Sequence, residues 1–135
     1  MESNKTGKTG SVQTIASTIQ SFVGSDKTHR ALAPERFFEI ASQSSGQCWS
    51  LTTYCPWPGP APTAPSNRGY EGGFLTALML KDLKLAQEAA AKSGAATPLG
   101  AQAEATYALF DRLGYGRKDF SAVLQLLRGQ LDELG

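Results

Sequence analysis

Three groups of residues have types and spacings that could do chemistry. Thr6-Gly7-Lys8-Thr9-Gly10 ends like a phosphate-cradling loop, in which backbone amides and a lysine hold an anion. Such a loop needs a glycine five residues before Gly7, where Glu2 stands, and a strand leading in, which is missing. The segment therefore reads as a polar tail. Cys48 with His29 could form a thiol–imidazole pair, but a single histidine at an unrelated position is thin support. Cys48 and Cys55 read instead as reduced thiols that pack as small hydrophobes, with no metal site. The third group is an aromatic stretch, with Trp49, Tyr54, Trp57, Tyr70 and Phe74, followed by Leu80-Lys81-Asp82-Leu83. Aromatic side chains can wall a small pocket and exclude water, and a lysine can meet an anionic group. Taken alone, Lys81 and Asp82 read as a solvated charge pair on a helix.

These residues sit in a chain of 135, enough for one domain with a core that needs no disulfide or metal. Hydrophobic residues make up 41%, charged residues 19%, and the net charge is +1. Such a balance gives no field for nucleic acid or an anionic membrane, so neither is an expected partner. Phe74 to Leu80 is the longest mainly apolar run, too short to span a bilayer. With no secretory signal pattern at the N-terminus, the expected location is the cytoplasm.

The elements that must position the candidate residues are helical. Val12, Ile15, Ile19, Phe22 and Val23 recur at helical spacing, which predicts a weak amphipathic helix over about 11–23. Pro34 opens a short helix to about residue 45, with Phe37, Phe38, Ile40 and Ala41 as its buried face. Residues 47–73 hold five prolines and four aromatics; a loop of that length and content reads as ordered and functional. A helix follows from Phe74 to Lys92, with apolar residues at 74, 75, 78, 79, 83, 85 and 86 and Gly94 as its stop. Pro98 opens the next, with Leu99, Ala103, Tyr107, Leu109, Phe110 and Leu113 expected inside and Gly114 as the stop. Asp119 caps a last helix that buries Phe120, Val123, Leu124, Leu126 and Leu127, and the tail from Leu131 extends it or frays. With no convincing strand, the fold class is all-α.

Several separated motifs carry a family resemblance. Ser44-Ser45-Gly46-Gln47-Cys48-Trp49, Tyr54, Pro56-Trp57-Pro58-Gly59, Tyr70-Glu71-Gly72-Gly73-Phe74 and Leu78-Met79-Leu80-Lys81-Asp82-Leu83-Lys84-Leu85-Ala86 resemble the 3-hydroxyisobutyrate dehydrogenases of the β-hydroxyacid dehydrogenase family. Pro98, Leu99, Tyr107, Gly114, Tyr115 and Asp119-Phe120-Ser121-Ala122-Val123 continue it, so that it covers residues 34 to about 128. The resemblance implies a compact helical substrate and oligomerisation domain like the C-terminal domain of 6-phosphogluconate dehydrogenases. The parent enzyme pairs it with a Rossmann domain that binds NAD or NADP, and oxidises a small 3-hydroxy acid by hydride transfer with a catalytic lysine as acid/base. Lys81 matches the family lysine that reaches the cofactor, with Asp82 beside it. Trp49, Tyr54 and Phe74 match positions that wall the substrate pocket.

The departures are as informative. The G-x-G-x-x-G fingerprint, the family's substrate-carboxylate loop and the glycine-rich turn leading to its catalytic lysine are all absent. Neither Lys5 nor Lys8 has matching neighbours, so no catalytic residue is assigned. Residues 1–33 read as a segment unrelated to the family, joined near Ala31 by a fusion, a frame change or engineering. The expectation is an isolated or chimeric domain that binds no cofactor alone, is inactive alone, and forms a homodimer or higher homo-oligomer, in one version by exchange of its N-terminal helix. A ligand-free self-associating module is the first alternative. A second is an enzyme that uses Lys5 or Lys8, or a Rossmann partner in trans.

Overall fold

A computed structural model describes residues 33–135. The helix expected over 11–23, together with Lys5, Lys8 and His29, lies outside the described residues. Within them the chain is helical and has no strand; a lone antiparallel bridge joins Leu75 to Asp119. No helix among them is long and apolar enough to cross a membrane.

The first helix, α1, spans Pro34–Ser42. Proline at its first position loses no useful amide, and Glu35 faces the positive end of the dipole. It ends at Gln43, earlier than the glycine stop expected at residue 46. Its expected buried face is only partly covered. Phe37, Phe38 and Ala41 are half-buried, and Ile40 is 53% exposed.

The proline-rich stretch is ordered and not wholly irregular. It holds a one-turn helix, α2, at Trp49–Thr52 and a 3₁₀ turn at Pro65–Arg68. Ser66 and Asn67 knit the loop from inside. The Ser66 hydroxyl donates to Cys55 O at 2.8 Å, and Asn67 donates to Ala61 O at 2.7 Å while accepting from Gly59 N at 2.6 Å. These bonds satisfy carbonyls and an amide that no regular element serves. Cys55, Ala61 and Ala64 form a small core there with Phe38 and Trp57 against it. Both cysteines are free, and burial raises the Cys55 thiol pKa, which suits the packing role expected of it.

Two helices packed against each other make the main body: α3, Thr76–Ser93, and α4, Pro98–Phe110. Gly94 closes α3 in the left-handed region at φ 70°, as expected of that glycine. Pro98 opens α4 as expected, but the helix widens after Phe110 into a π turn, Asp111–Tyr115, that contains Gly114 at φ 101°. After the 3₁₀ turn Phe120–Ala122, helix α5 covers Val123–Arg128. The tail neither extends α5 nor frays. Gly129 stops the helix, and a 3₁₀ turn, Leu131–Leu134, brings Leu134 back into the core.

The core is built from Tyr70, Met79, Leu80, Leu83, Ala103, Tyr107, Phe110, Phe120, Ala122, Val123 and Leu134. This corrects the expected inner faces. In α4 the residues inside are Ala103, Tyr107 and Phe110, whereas Leu99 and Leu109, with Leu113 in the π turn that follows, are 69%, 51% and 48% exposed. In α3 Leu78 and Leu85 point outward, and Thr76, Met79, Leu80, Leu83 and Ala90 are buried. The α4 sequence is apolar nearly all round, so periodicity alone could not choose its buried side. Leu126 and Leu127 of α5 are only half-buried.

Candidate functional site

The segment after α4 builds the site by returning to the start of α3. Thr76 N and Ala77 N donate to Lys118 O at 2.9 Å and Gly116 O at 3.0 Å. Two of the amides that a helix start leaves without partners are thus satisfied by distant backbone. The same strand-like pairing continues outward, with Phe120 N donating to Phe74 O at 2.8 Å and Asp119 N to Tyr70 O at 2.9 Å. Lys118 adds an ion pair with Glu71 at 2.6 Å. Tyr70 itself has φ 60°, unusual for a residue with a side chain, and its hydroxyl is anchored on Pro56 O at 2.9 Å.

This framework brings together three of the residues singled out from the sequence. The Trp49 ring stacks on Tyr54 at 5.1 Å and 23°, and Tyr54 stacks on Phe120 at 5.3 Å and 18°. Phe74 meets Phe120 edge-on at 6.1 Å and 79°. Offset stacks and edge contacts of this kind are favoured by the ring quadrupoles. Trp49 is 46% exposed, Tyr54 and Phe74 are half-buried, and Phe120 is buried. The result is a column of rings with one end in the core and the other open to solvent.

Asp119 stands behind the column and is fully buried. Its Oδ2 accepts from the Tyr54 hydroxyl at 2.6 Å and from Phe74 N at 2.8 Å. Its Oδ1 accepts from Ser121 N at 3.0 Å and the Ser121 hydroxyl at 2.6 Å. Burial, then the hydrogen bond to Asp119 and its negative charge, raise the Tyr54 pKa well above the ordinary tyrosine value. Tyr54 is therefore a fixed, neutral hydrogen-bond donor and a poor candidate for an acid or base near neutral pH. The sequence shows Asp119 only as a helix cap, which it is. It also joins Tyr54 to Phe74, a connection that the sequence does not show. The signal available was that Asp119-Phe120-Ser121 belongs to the motifs that carry the resemblance.

Lys81 and Asp82 lie one to two turns into α3. Their ionic groups are 3.6 Å apart, with side chains 62% and 15% exposed. An exposed lysine can meet a phosphate or a carbonyl-bearing ring, but one cation is not a dinucleotide site. Among the described residues no strand and glycine-rich turn supplies the amides that hold a pyrophosphate. Nor do three His, Cys, Asp or Glu side chains among them gather as metal ligands.

Residues 12–127 match the family described as the NAD-binding domain of NADP-dependent 3-hydroxyisobutyrate dehydrogenase. A probable 3-hydroxyisobutyrate dehydrogenase of Mycobacterium tuberculosis is 43% identical over 121 residues, 90% of this chain and 40% of that protein. An NAD-dependent L-serine dehydrogenase of Pseudomonas aeruginosa is 50% identical over 88 residues, 65% of this chain and 30% of that protein. A solved structure of the M. tuberculosis 3-hydroxyisobutyrate dehydrogenase with L-serine superposes with a TM-score of 0.83 at 39% identity, covering 94% of this chain and 42% of the other. The chain thus spans well under half the length of these relatives. The family match starts at residue 12, inside the segment that the sequence had set apart as unrelated. Residues 12–33 therefore fall within the family, and the change of composition near Ala31 is not its edge.

Proposed function

Because the chain belongs to the family of the NAD-binding domain of NADP-dependent 3-hydroxyisobutyrate dehydrogenase, we propose that it supplies the helical half of such an enzyme's substrate site. The observation that carries this is the convergence of Trp49, Tyr54 and Phe74 on one ring column with a solvent-facing end. These rings exclude water around a small 3-hydroxy acid, the class named for the relatives, and L-serine belongs to it. Lys81, with Asp82 beside it, presents its ammonium to the anionic or carbonyl groups of the dinucleotide and substrate. NAD(P), when bound, takes the hydride. No described residue is assigned the proton transfer, and the chain alone is expected not to turn over a hydroxy acid.

Two measurements test the proposal. Pure chain mixed with NAD or NADP and 3-hydroxyisobutyrate or L-serine is expected to give no reduced cofactor, and steady production of it refutes the inactivity. L-serine added to isotope-labelled chain is expected to move the Trp49 indole resonance and leave that of Trp57 in place. Equal or absent shifts at the two indoles overturn the wall assignment.

A second reading, self-association, is favoured by the outward leucines. Leu99 and Leu109 of α4 and Leu113 of the π turn after it are exposed, as are Leu78 and Leu85, which fall within one face of α3. A small domain rarely leaves so many large apolar side chains open. A homo-oligomer that covers them is compatible with the first reading.

A further inference from the structure

The two oxygens of Asp119 face different tasks. One is wholly engaged by Ser121 and holds the turn Phe120–Ala122. That task alone would be met by a smaller cap such as serine. The other oxygen is shared between the Tyr54 hydroxyl and the Phe74 amide, which come from separate segments of the proposed site.

Resting on the wall assignment above, we propose that Asp119 is a positioning residue, whose Oδ2 fixes the Trp49–Tyr54 wall relative to the Phe74 wall.

Stacking holds rings face to face but resists sliding only weakly. Tyr54 lies between Trp49 and Phe120 and could slip in its own plane were its oxygen not tied down. The 2.6 Å bond at the far end of that ring removes this freedom, and Trp49 follows because it rests on Tyr54. Phe74 is gripped through the peptide groups on either side of its Cα, with its amide donating to Asp119 Oδ2 and its carbonyl accepting from Phe120 N. The space beside this shared oxygen is also closed to other side chains. A Cβ on Gly73 would fall 2.6 Å from the Tyr54 oxygen and would also collide with Asp119 Oδ2. The high pKa of Tyr54 agrees, since its proton is needed for the bond.

The test uses the chain with Trp57→Phe, which leaves Trp49 as its tryptophan reporter. Into this background go Tyr54→Phe, which keeps the ring and removes the bond, Asp119→Asn, and the two together. The expected result is a red shift of Trp49 emission and greater acrylamide quenching in each single variant while cooperative unfolding persists. The double variant is expected to move no further than the larger single effect, because the Tyr54 hydroxyl whose bond Asp119→Asn disturbs is already gone in Tyr54→Phe. A residue that only holds the fold together would lower the unfolding midpoint and leave Trp49 emission of the folded state unchanged. That unchanged emission in Tyr54→Phe overturns the proposal, even if Asp119→Asn fails to fold. The L-serine titration fails separately. An emission shift without any indole response to L-serine leaves Asp119 as the positioning residue of the rings and removes the substrate assignment.

Discussion

The Arg128 guanidinium lies 4.3 Å from the centre of the Trp57 ring and so fastens α5 to the proline-rich loop. The same side chain donates to Gln125 Oε1 at 3.0 Å and pairs with Glu133 at 3.7 Å. Arg128→Ala should lower stability by about 1–2 kcal/mol, mostly through lost stacking and packing, since the ion pair is half-open to water. Arg128→Lys should recover only part, because an ammonium lacks the planar face. Urea unfolding of the three chains checks both statements.

Gly73→Ala should be among the most damaging single changes. The backbone there has φ 108°, and the new methyl would strike Asp119 and Tyr54. A cost of about 2–4 kcal/mol is expected from overpacking and backbone strain combined. Gly94→Ala is the control. Its φ of 70° is also left-handed but nothing lies near the added methyl, so about 1 kcal/mol is expected. Thermal unfolding of the two variants separates collision from backbone strain.

Alkaline pH should unfold the chain through its tyrosines. Burial is the main cause that raises Tyr54, Tyr70 and Tyr107 above the ordinary value of 10.0, with Tyr70 pushed up to about 12. Each holds its proton more tightly folded than unfolded. Their stabilisation is therefore complete below about pH 10 and lost as pH rises through the folded values. The unfolding midpoint should be insensitive to these groups near neutrality and fall above about pH 10. Tyrosinate absorbance from the buried rings should appear together with loss of helix; ionisation well before unfolding would contradict the burial.

Lys81→Ala should leave stability within about 0.5 kcal/mol, because its ion pair with Asp82 is largely solvated on the lysine side. If Lys81 serves a ligand, the change should appear instead as weaker binding of NAD or NADP in any assembly that holds the cofactor. A large loss of stability would show that Lys81 is structural.

Leu109→Ser together with Leu113→Ser should weaken self-association with little loss of stability. Both side chains are about half exposed. Sedimentation velocity over a range of concentrations reads the change, and a wild-type chain that stays monomeric throughout removes the second reading.

Much of the helical layout was legible because punctuation residues act locally. Pro34 and Pro98 open helices, Gly94 closes one, and Asp119 caps the turn after it, each through the conformation of its own backbone or the reach of its own side chain. The buried side of α4 was not legible. Leu99, Leu109 and Leu113 compete with Ala103, Tyr107 and Phe110 for the inside, and the outcome depends on α3 and α5 rather than on the helix. Trp49, Tyr54 and Phe74 were legible as a set through motif resemblance. The bond from Tyr54 to Asp119 was not, because it joins residues 65 apart in the chain and no periodicity reports a pairing of that range. For residues 1–33, expected to be unrelated to the family, the family match reaches back to residue 12 and an unrelated origin is not shown.

The borrowed acceptors at the head of α3 have a kinetic consequence. Helix ends usually open first and most cheaply, one turn at a time. Thr76 and Ala77 give up their bonds only if residues 116–118 also let go, which disturbs the turn after α4 and the grip of Asp119 on Phe74. Fraying is thereby converted into a concerted event. Amide exchange at these two positions should be as slow as in the middle of the helix, and the peptide leading from Phe74 to Lys81 should hold one shape.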